Sequence, residues 1–292
     1  MTQAKVLNAV NAKLVEAKLI GKRPSIATIN RANKPSGYII YRGPSLLDGK
    51  PIVVVAVVRE SKNKKTGNMV QTYVLVDNGI SPVQNARSLA DSSVCGDCKH
   101  RRGTYNPETE EGGSCYVNLG QGARSVADGV VRGIYPDISN NPVAMRELAM
   151  SIAQRMVRLG TYGDPMAAPA QVWQDMVAFA LGHTGYTHQW NNKALPVDQV
   201  NAIKALCMAS ADTPKEKALA NAAGWRTFRV QGLGESLPME REMACPASEE
   251  QGKRLTCAQC MSCSGGVDSK KASVVIIVHG SLKNRFAASV AA

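Results

Sequence analysis

The stretch that decides the fold is Val157-Arg158-Leu159-Gly160-Thr161-Tyr162-Gly163-Asp164-Pro165. Its Val, Leu, Thr and Tyr read as a strand over 157–163, closed by a turn in which Asp164, just before Pro165, is a good helix N-cap. A helix over 169–181 and a strand over 184–190 follow, so the unit is strand–helix–strand. The same rhythm continues outward: a helix over 198–206, a strand over 207–211, a helix over 213–223 opened by Thr213-Pro214, a strand over 225–230 and a last strand over 272–279. Upstream, 142–156 reads as a helix with Pro142 in its first turn. Repeated βα units imply a parallel sheet with right-handed crossovers. Five or six such units predict a partial or distorted (β/α) barrel.

The region before these units has a different pattern. Segments 37–41, 51–59 and 69–77 are rich in Val, Ile, Tyr and Thr, and are separated by Pro44, Asp48-Gly49 and Lys65-Thr66-Gly67. That is an antiparallel meander. Its second strand is apolar throughout and is expected to be covered on both faces. The fold class is therefore α/β, with a β-rich antiparallel region preceding the barrel-like part. We divide the chain into a basic N-terminal helix and arm (1–34, with Val6, Val10, Leu14 and Leu19 at helical spacing), a β-rich region (35–115) and a (β/α) region (116–292), which together can make one compact domain.

Composition narrows the classes. The chain has 292 residues, enough to bury a core without disulfide staples. Aromatics are only 5%, which argues against a β-sandwich and against an aromatic platform for single strands. No apolar run approaches the ~20 residues that span a bilayer, and the N-terminus lacks the pattern of a signal peptide. The expected location is cytoplasmic, where clustered cysteines serve as metal ligands more often than as disulfides. Thirty-five Lys and Arg against 23 Asp and Glu give a net charge of +12, concentrated before residue 66 and in Lys99-His100-Arg101-Arg102. Such a surface either binds phosphate, in nucleic acid or an anionic cofactor, or is simply solvated.

Seven of the eight cysteines fall into two groups. Cys95-x2-Cys98 is followed after sixteen residues by Cys115; Cys245-Pro246 is followed by Cys257-x2-Cys260-x2-Cys263. Cys207 stands alone in an apolar strand and reads as core. A Cys-x2-Cys-x2-Cys run with a remote Cys-Pro is the ligand pattern of bacterial-type ferredoxin clusters, whereas zinc usually takes one x2 knuckle from each of two segments. The second group therefore points to a [4Fe–4S] cluster. The first admits a Cys3His zinc site with His100, a second cluster with one open iron, or pooling with the second group. No Gly-x-Ser-x-Gly, P-loop or Gly-x-Gly-x-x-Gly after a strand is present, and Gly120-Gln121-Gly122 is only a weak phosphate-loop candidate.

Sites in parallel α/β folds gather at the carboxyl ends of strands. This places Asp164, His188, Arg226 and Arg229 as candidate catalytic residues and Arg158, Tyr162, Gly163 and Gln189 as candidate cofactor-binding residues, beside the seven candidate ligands.

Several strings resemble a cysteine-rich bacteriophage family, the gene-product-eighty-eight-like or viral ferredoxin-like iron–sulfur proteins. They are Gly43-Pro44-Ser45-Leu46-Leu47-Asp48-Gly49-Lys50-Pro51, Cys95-Gly96-Asp97-Cys98, Ser114-Cys115-Tyr116-Val117-Asn118, Tyr162-Gly163-Asp164-Pro165, Gly185-Tyr186-Thr187-His188-Gln189-Trp190, Trp225-Arg226-Thr227-Phe228-Arg229-Val230 and Cys245-Pro246. The likeness runs over about residues 35–280 and implies a metal-binding viral protein of the host cytoplasm. A looser likeness is to radical S-adenosylmethionine enzymes, which place an open-site [4Fe–4S] cluster on three cysteines at the mouth of a (β/α) barrel, often with auxiliary clusters on C-terminal cysteines. Cys115-Tyr116 and Gly163-Asp164-Pro165 are similar to their cluster loop and cofactor turn. The sixteen residues between Cys98 and Cys115 depart from their compact cysteine spacing.

The functional expectation is a phage-encoded iron–sulfur protein with a [4Fe–4S] cluster and a second cluster or zinc. Its role would be electron transfer or cluster-dependent enzymatic chemistry, with a redox partner or a small-molecule substrate. The alternative is a nucleic-acid-binding protein of phage replication or regulation that uses its basic N-terminal region and keeps structural zinc or iron–sulfur sites. No membrane association is expected.

Overall fold

The computed structural model describes residues 35–60, 63–232, 240–252, 254–266 and 272–291. The basic N-terminal helix and arm lie outside the described residues. Among those described, no helix is long and apolar enough to cross a membrane.

The fold is mixed α/β, built on a nine-stranded sheet in the order β1-β2-β3-β4-β5-β6-β7-β9-β8. Strands β1 (Gly37–Pro44), β2 (Pro51–Val57) and β3 (Val70–Val76) form the expected antiparallel meander. Ile52 to Ala56 of β2 are buried without interruption, so the strand is covered on both faces. From β3 onward every pairing is parallel. The edge strands β1 and β8 are not paired with each other.

Parallel strands need crossovers, and the chain supplies them. Helices α1 (Pro82–Arg87), α2 (Ser92–Cys95), α3 (Arg124–Val131) and α4 (Pro142–Ser151) fill the long connection from β3 to β4 (Met156–Tyr162). Helix α5 (Ala170–Val177) leads to β5 (Gly182–Thr187), α6 (Val197–Leu206) to β6 (Met208–Ala211), and α7 (Pro214–Ala222) to β7 (Thr227–Gln231). The short strand β8 (Glu242–Ala244) and the one-turn helix α8 (Cys257–Cys260) precede β9 (Ser273–Ile277), and α9 (Lys283–Ala291) closes the chain. The starts of these helices are legible in the sequence. Asn141 accepts from the Ala144 N–H and Thr213 from the Glu216 N–H, each followed by a proline that needs no partner. Strand boundaries shift by one to three residues from those expected, and the additions include β8, α1, α2, α8 and α9.

The core lies between the sheet and helices α4 to α6. Trp173 of α5 is fully buried and donates its indole N–H to the Pro165 carbonyl (2.8 Å), which pins the helix to the turn after β4. Strand β4 is irregular: Gln71 faces Arg158 but Tyr73 faces Tyr162, so two residues of β3 span four of β4. Gly160 takes φ +64° at this bulge and its N–H donates to the Thr72 hydroxyl (3.0 Å). A bulge re-aims side chains, and here Arg158 and Gly160 to Asp164 all reach one cavity.

Arg229 and Glu242 join β7 to the far edge. Arg229 Nε and Nη2 donate to the two Glu242 oxygens at 2.9 and 3.0 Å, with both side chains fully buried. Cutting one partner of a buried pair strands the other charge, at roughly 3–5 kcal/mol, whereas replacing both by apolar residues is far milder. Glu242→Ala is thus expected to lower stability by about that amount in a urea titration, and an Arg229→Met/Glu242→Met double variant by clearly less.

Candidate metal centre

All seven clustered cysteines line a single cavity of about 380 Å³. Its walls come from β4 (Arg158, Gly160), β5 (Thr184, Tyr186), β6 (Ser210), β7 (Phe228, Val230) and β9 (Val274, Ile276). Cys207 is not among them; it is buried in the core, as its apolar setting predicted.

The first cysteine group sits at the carboxyl ends of the strands. Cys95 ends α2, Cys98 follows in the turn, and Cys115 is brought back to them because its N–H donates to the His100 carbonyl (2.8 Å). The sixteen intervening residues therefore loop out and return. Gln189 locks the knuckle: fully buried, it donates from Nε2 to the Cys95 carbonyl (3.2 Å) and to Asp97 Oδ1 (2.7 Å). Gly96 has φ +60°, and a Cβ there would lie 2.5 Å from the Gln189 side chain, so the knuckle and Gln189 fit only with glycine between them.

The second group sits toward the amino ends of the strands. Cys257 N–H donates to the Lys65 carbonyl just before β3, Gly185 of β5 donates to the Cys263 carbonyl, and Gly265 donates to the Leu206 carbonyl before β6. Arg226 clamps this loop to β7, donating to the carbonyls of Ser262 (2.9 Å), Ser264 (2.6 Å) and Ala272 (2.8 Å). Cys245 follows β8, and its N–H donates to Val275 of β9.

The electrostatics keep the two groups distinct. Burial first, then Cys98 and Cys115, push the Cys95 thiol up; burial first, then Cys245, Cys257 and Cys260 among others, push Cys263 up to about 12 despite a hydrogen bond from Tyr186. Burial likewise pushes Cys98 to about 12 and Cys115 to about 11. Without metal these sulfurs are neutral thiols, so loading a metal must release protons.

The donor set suits iron–sulfur clusters. The thiols of Cys98, Cys115 and Cys245 accept backbone N–H groups two residues on, from His100, Val117 and Ala247. Buried hydroxyl and guanidine groups are orphaned beside each group: Tyr162 Oη near Cys95 and Cys115, and Arg158 Nε near Cys257 and Cys263. Around one zinc ion, thiolates at ~2.3 Å stand about 3.8 Å apart. Among the described residues, no three cysteine sulfurs gather within 4.8 Å; only His100, His188 and Asp212 bring ligand atoms that close.

That His/His/Asp group was not foreseen as a unit. His100, expected as a possible fourth zinc ligand, instead bonds Ser114 Oγ through Nδ1 (2.5 Å) and Asp212 Oδ2 through Nε2 (2.7 Å). Lys99 Nζ lies 3.2 Å from the same Asp212 oxygen. Burial opposes the Asp212 charge, but the His100 hydrogen bond and the nearby cations hold its carboxyl well below the usual carboxylate range. The basic cluster 99–102 is thus largely spent inside the protein: Arg101 pairs with Asp91 (3.0 Å) and Arg102 donates to the Val117 carbonyl (3.3 Å).

The other sequence candidates divide cleanly. Arg158, Tyr162, Gly163, Asp164 and His188 line the cavity. Asp164 has its oxygens taken by the Met166 N–H (2.9 Å), the Thr187 hydroxyl (2.7 Å) and the His188 N–H (2.8 Å), so it caps the turn and orients His188. Gln189, Arg226 and Arg229 do not line the cavity; the first two hold the cysteine loops and the third is the buried ion pair. Gly120-Gln121-Gly122 lies in a wide, kinked helical turn leading into α3 and does not line the cavity. Tyr186, Tyr116 and Lys65, all on the cavity wall, carried no sequence signal beyond the family strings. No protein-family model, curated protein or solved structure matches the chain.

Because Gln189 positions the knuckle without touching metal, Gln189→Ala is expected to weaken metal retention at the first group by about 10–100-fold, the usual cost of losing such a support. A chelator competition on anaerobically loaded protein measures this. The centre on Cys245, Cys257, Cys260 and Cys263 should keep its metal.

Proposed function

We propose that this chain is an iron–sulfur enzyme with a partial (β/α) barrel, holding two [4Fe–4S] clusters at opposite ends of one cavity. Cys95, Cys98 and Cys115 hold one at the carboxyl ends of the strands; Cys245, Cys257, Cys260 and Cys263 hold the other. The observation that carries the reading is the shared cavity: five parallel strands turn residues toward it, and both cysteine groups, three residues and four, line it. Pure electron transfer needs no such enclosed space. Nucleic-acid binding gains nothing from it either, and the 99–102 basic cluster is bound internally.

A cluster on three thiolates supplies an iron with a free coordination position and an electron at low potential when bound. The ligand chemistry that suits this position is that of S-adenosylmethionine, in line with the Gly163-Asp164-Pro165 turn after β4 beside the three cysteines. Gly163, at φ +79°, packs so close to Val74 that a Cβ would lie 2.6 Å from the Val74 side chain, which sets the turn against β3. Asp164 then orients His188 and closes the carboxyl ends of β4 and β5. Val117, Phe228, Val230, Ile276 and Phe286 give part of the cavity an apolar wall. The source of the chain as a phage protein of the host cytoplasm belongs to this same reading and rests on the family strings.

Anaerobic reconstitution tests it. Iron and acid-labile sulfide sufficient for two clusters are expected, with about half of each lost in a Cys95→Ala/Cys98→Ala/Cys115→Ala variant. Dithionite-reduced protein should cleave S-adenosylmethionine to 5′-deoxyadenosine, and the triple variant should not. Zinc without sulfide overturns the proposal; two clusters without cleavage overturn the choice of ligand.

A further inference from the structure

Arg158 is the one strong cation that β4 turns into the cavity. Its Nη2 donates to the Tyr116 hydroxyl (2.8 Å), its guanidinium stands 5.8 Å from the centre of the Tyr186 ring, and its buried Nε has no partner among the described groups. No carboxylate pairs with it among the described residues. Tyr186 in turn hydrogen-bonds the Cys263 sulfur. Lys65 approaches the same end of the cavity, where its charge acts on Cys245 and its Nζ lies 3.3 Å from His279 Nε2.

We propose that Arg158, with Lys65 as a second contributor, is the counter-charge of the four-cysteine centre and sets its reduction potential, making that centre a redox-active relay rather than a structural staple. The inference rests on the two-cluster reading above. Four thiolates make an iron–sulfur centre an anion, and reduction adds one electron to it. A fixed cation close to such a centre stabilises the reduced form more than the oxidised one and so raises the potential. Arginine suits this task because it does not deprotonate. Capture of a substrate carboxylate is the competing use of such a residue, but it calls for the free two-pronged fork of the guanidinium. Here one arm is already committed to Tyr116 and the guanidinium carbon stands over the Tyr186 ring.

The test is a mediator-poised redox titration of the full, anaerobically reconstituted chain, with dithionite as reductant and EPR as readout. Arg158→Gln is expected to move the midpoint of one of the two centres to a more negative potential, with iron and sulfide contents unchanged. Arg158→Lys, which keeps the charge, should stay near wild type. Lys65→Gln should shift the same centre in the same direction by less, and Lys50→Gln, on the exposed β1–β2 turn, should shift nothing. An unmoved midpoint in loaded Arg158→Gln overturns the inference, as does an equal shift in Arg158→Lys. If Arg158→Gln does not load, Lys65→Gln decides, and no shift there overturns it. Wild-type protein without sulfide fails the two-cluster reading itself, a result distinct from an unmoved potential in a loaded protein.

Discussion

One buried carboxylate ties the functional end of this molecule together. Asp164 accepts from Met166, from Thr187 at the end of β5 and from His188 just beyond it, while its own N–H donates to the Val94 carbonyl in the helix that ends in Cys95. Two strand ends and one cysteine-bearing helix thus meet at a single side chain. Burial raises its carboxyl above the usual range despite these donors. Its place in the fold is therefore maintained by hydrogen-bond geometry, with the His188 side chain the nearby basic group that favours its charge. The cavity needs this junction, because the first cysteine group has no regular sheet pairing of its own to hold it.

The second group is held by the opposite means. Arg226 gathers carbonyls of the cysteine loop under the amino ends of the strands. The two ends of the cavity are therefore fixed independently, one through a carboxylate collecting N–H and hydroxyl groups, the other through a guanidinium collecting carbonyls.

The parallel part of the fold was legible because each unit carries its own punctuation. Asn141-Pro142, Asp164-Pro165 and Thr213-Pro214 mark turns, and the apolar strands between them are too short for helices. The two cysteine groups, Cys115 with Cys95 and Cys98 included, were legible from spacing alone. What closes the first of them, a loop returning through one backbone hydrogen bond, was not. Nor could the sequence separate roles among its polar candidates. Arg226 stands just before β7, Arg229 within it and Gln189 just beyond β5, and their side chains turn to carbonyls, to Glu242 or to Asp97. Which face a strand-end residue presents is set by register, and the β4 bulge shows how far register can depart from simple alternation. Lys65 is the converse case: a residue that reads as a solvated hairpin tip reaches the cavity because the cysteine loop packs against its backbone.

The placement of the two cysteine groups also sets an order of events during synthesis. The first three ligands leave the ribosome early, by residue 115, but the wall opposite them is made by β7 and β9, and β9 ends only at Ile277. The last four cysteines emerge just before that wall is complete. Until then the early cysteines stand on a loop beside an unfinished sheet, open to solvent and to oxidants. Formation of the shared cavity is therefore bound to synthesis of β9, and a product truncated before it would carry its early cysteines without the opposite part of their wall.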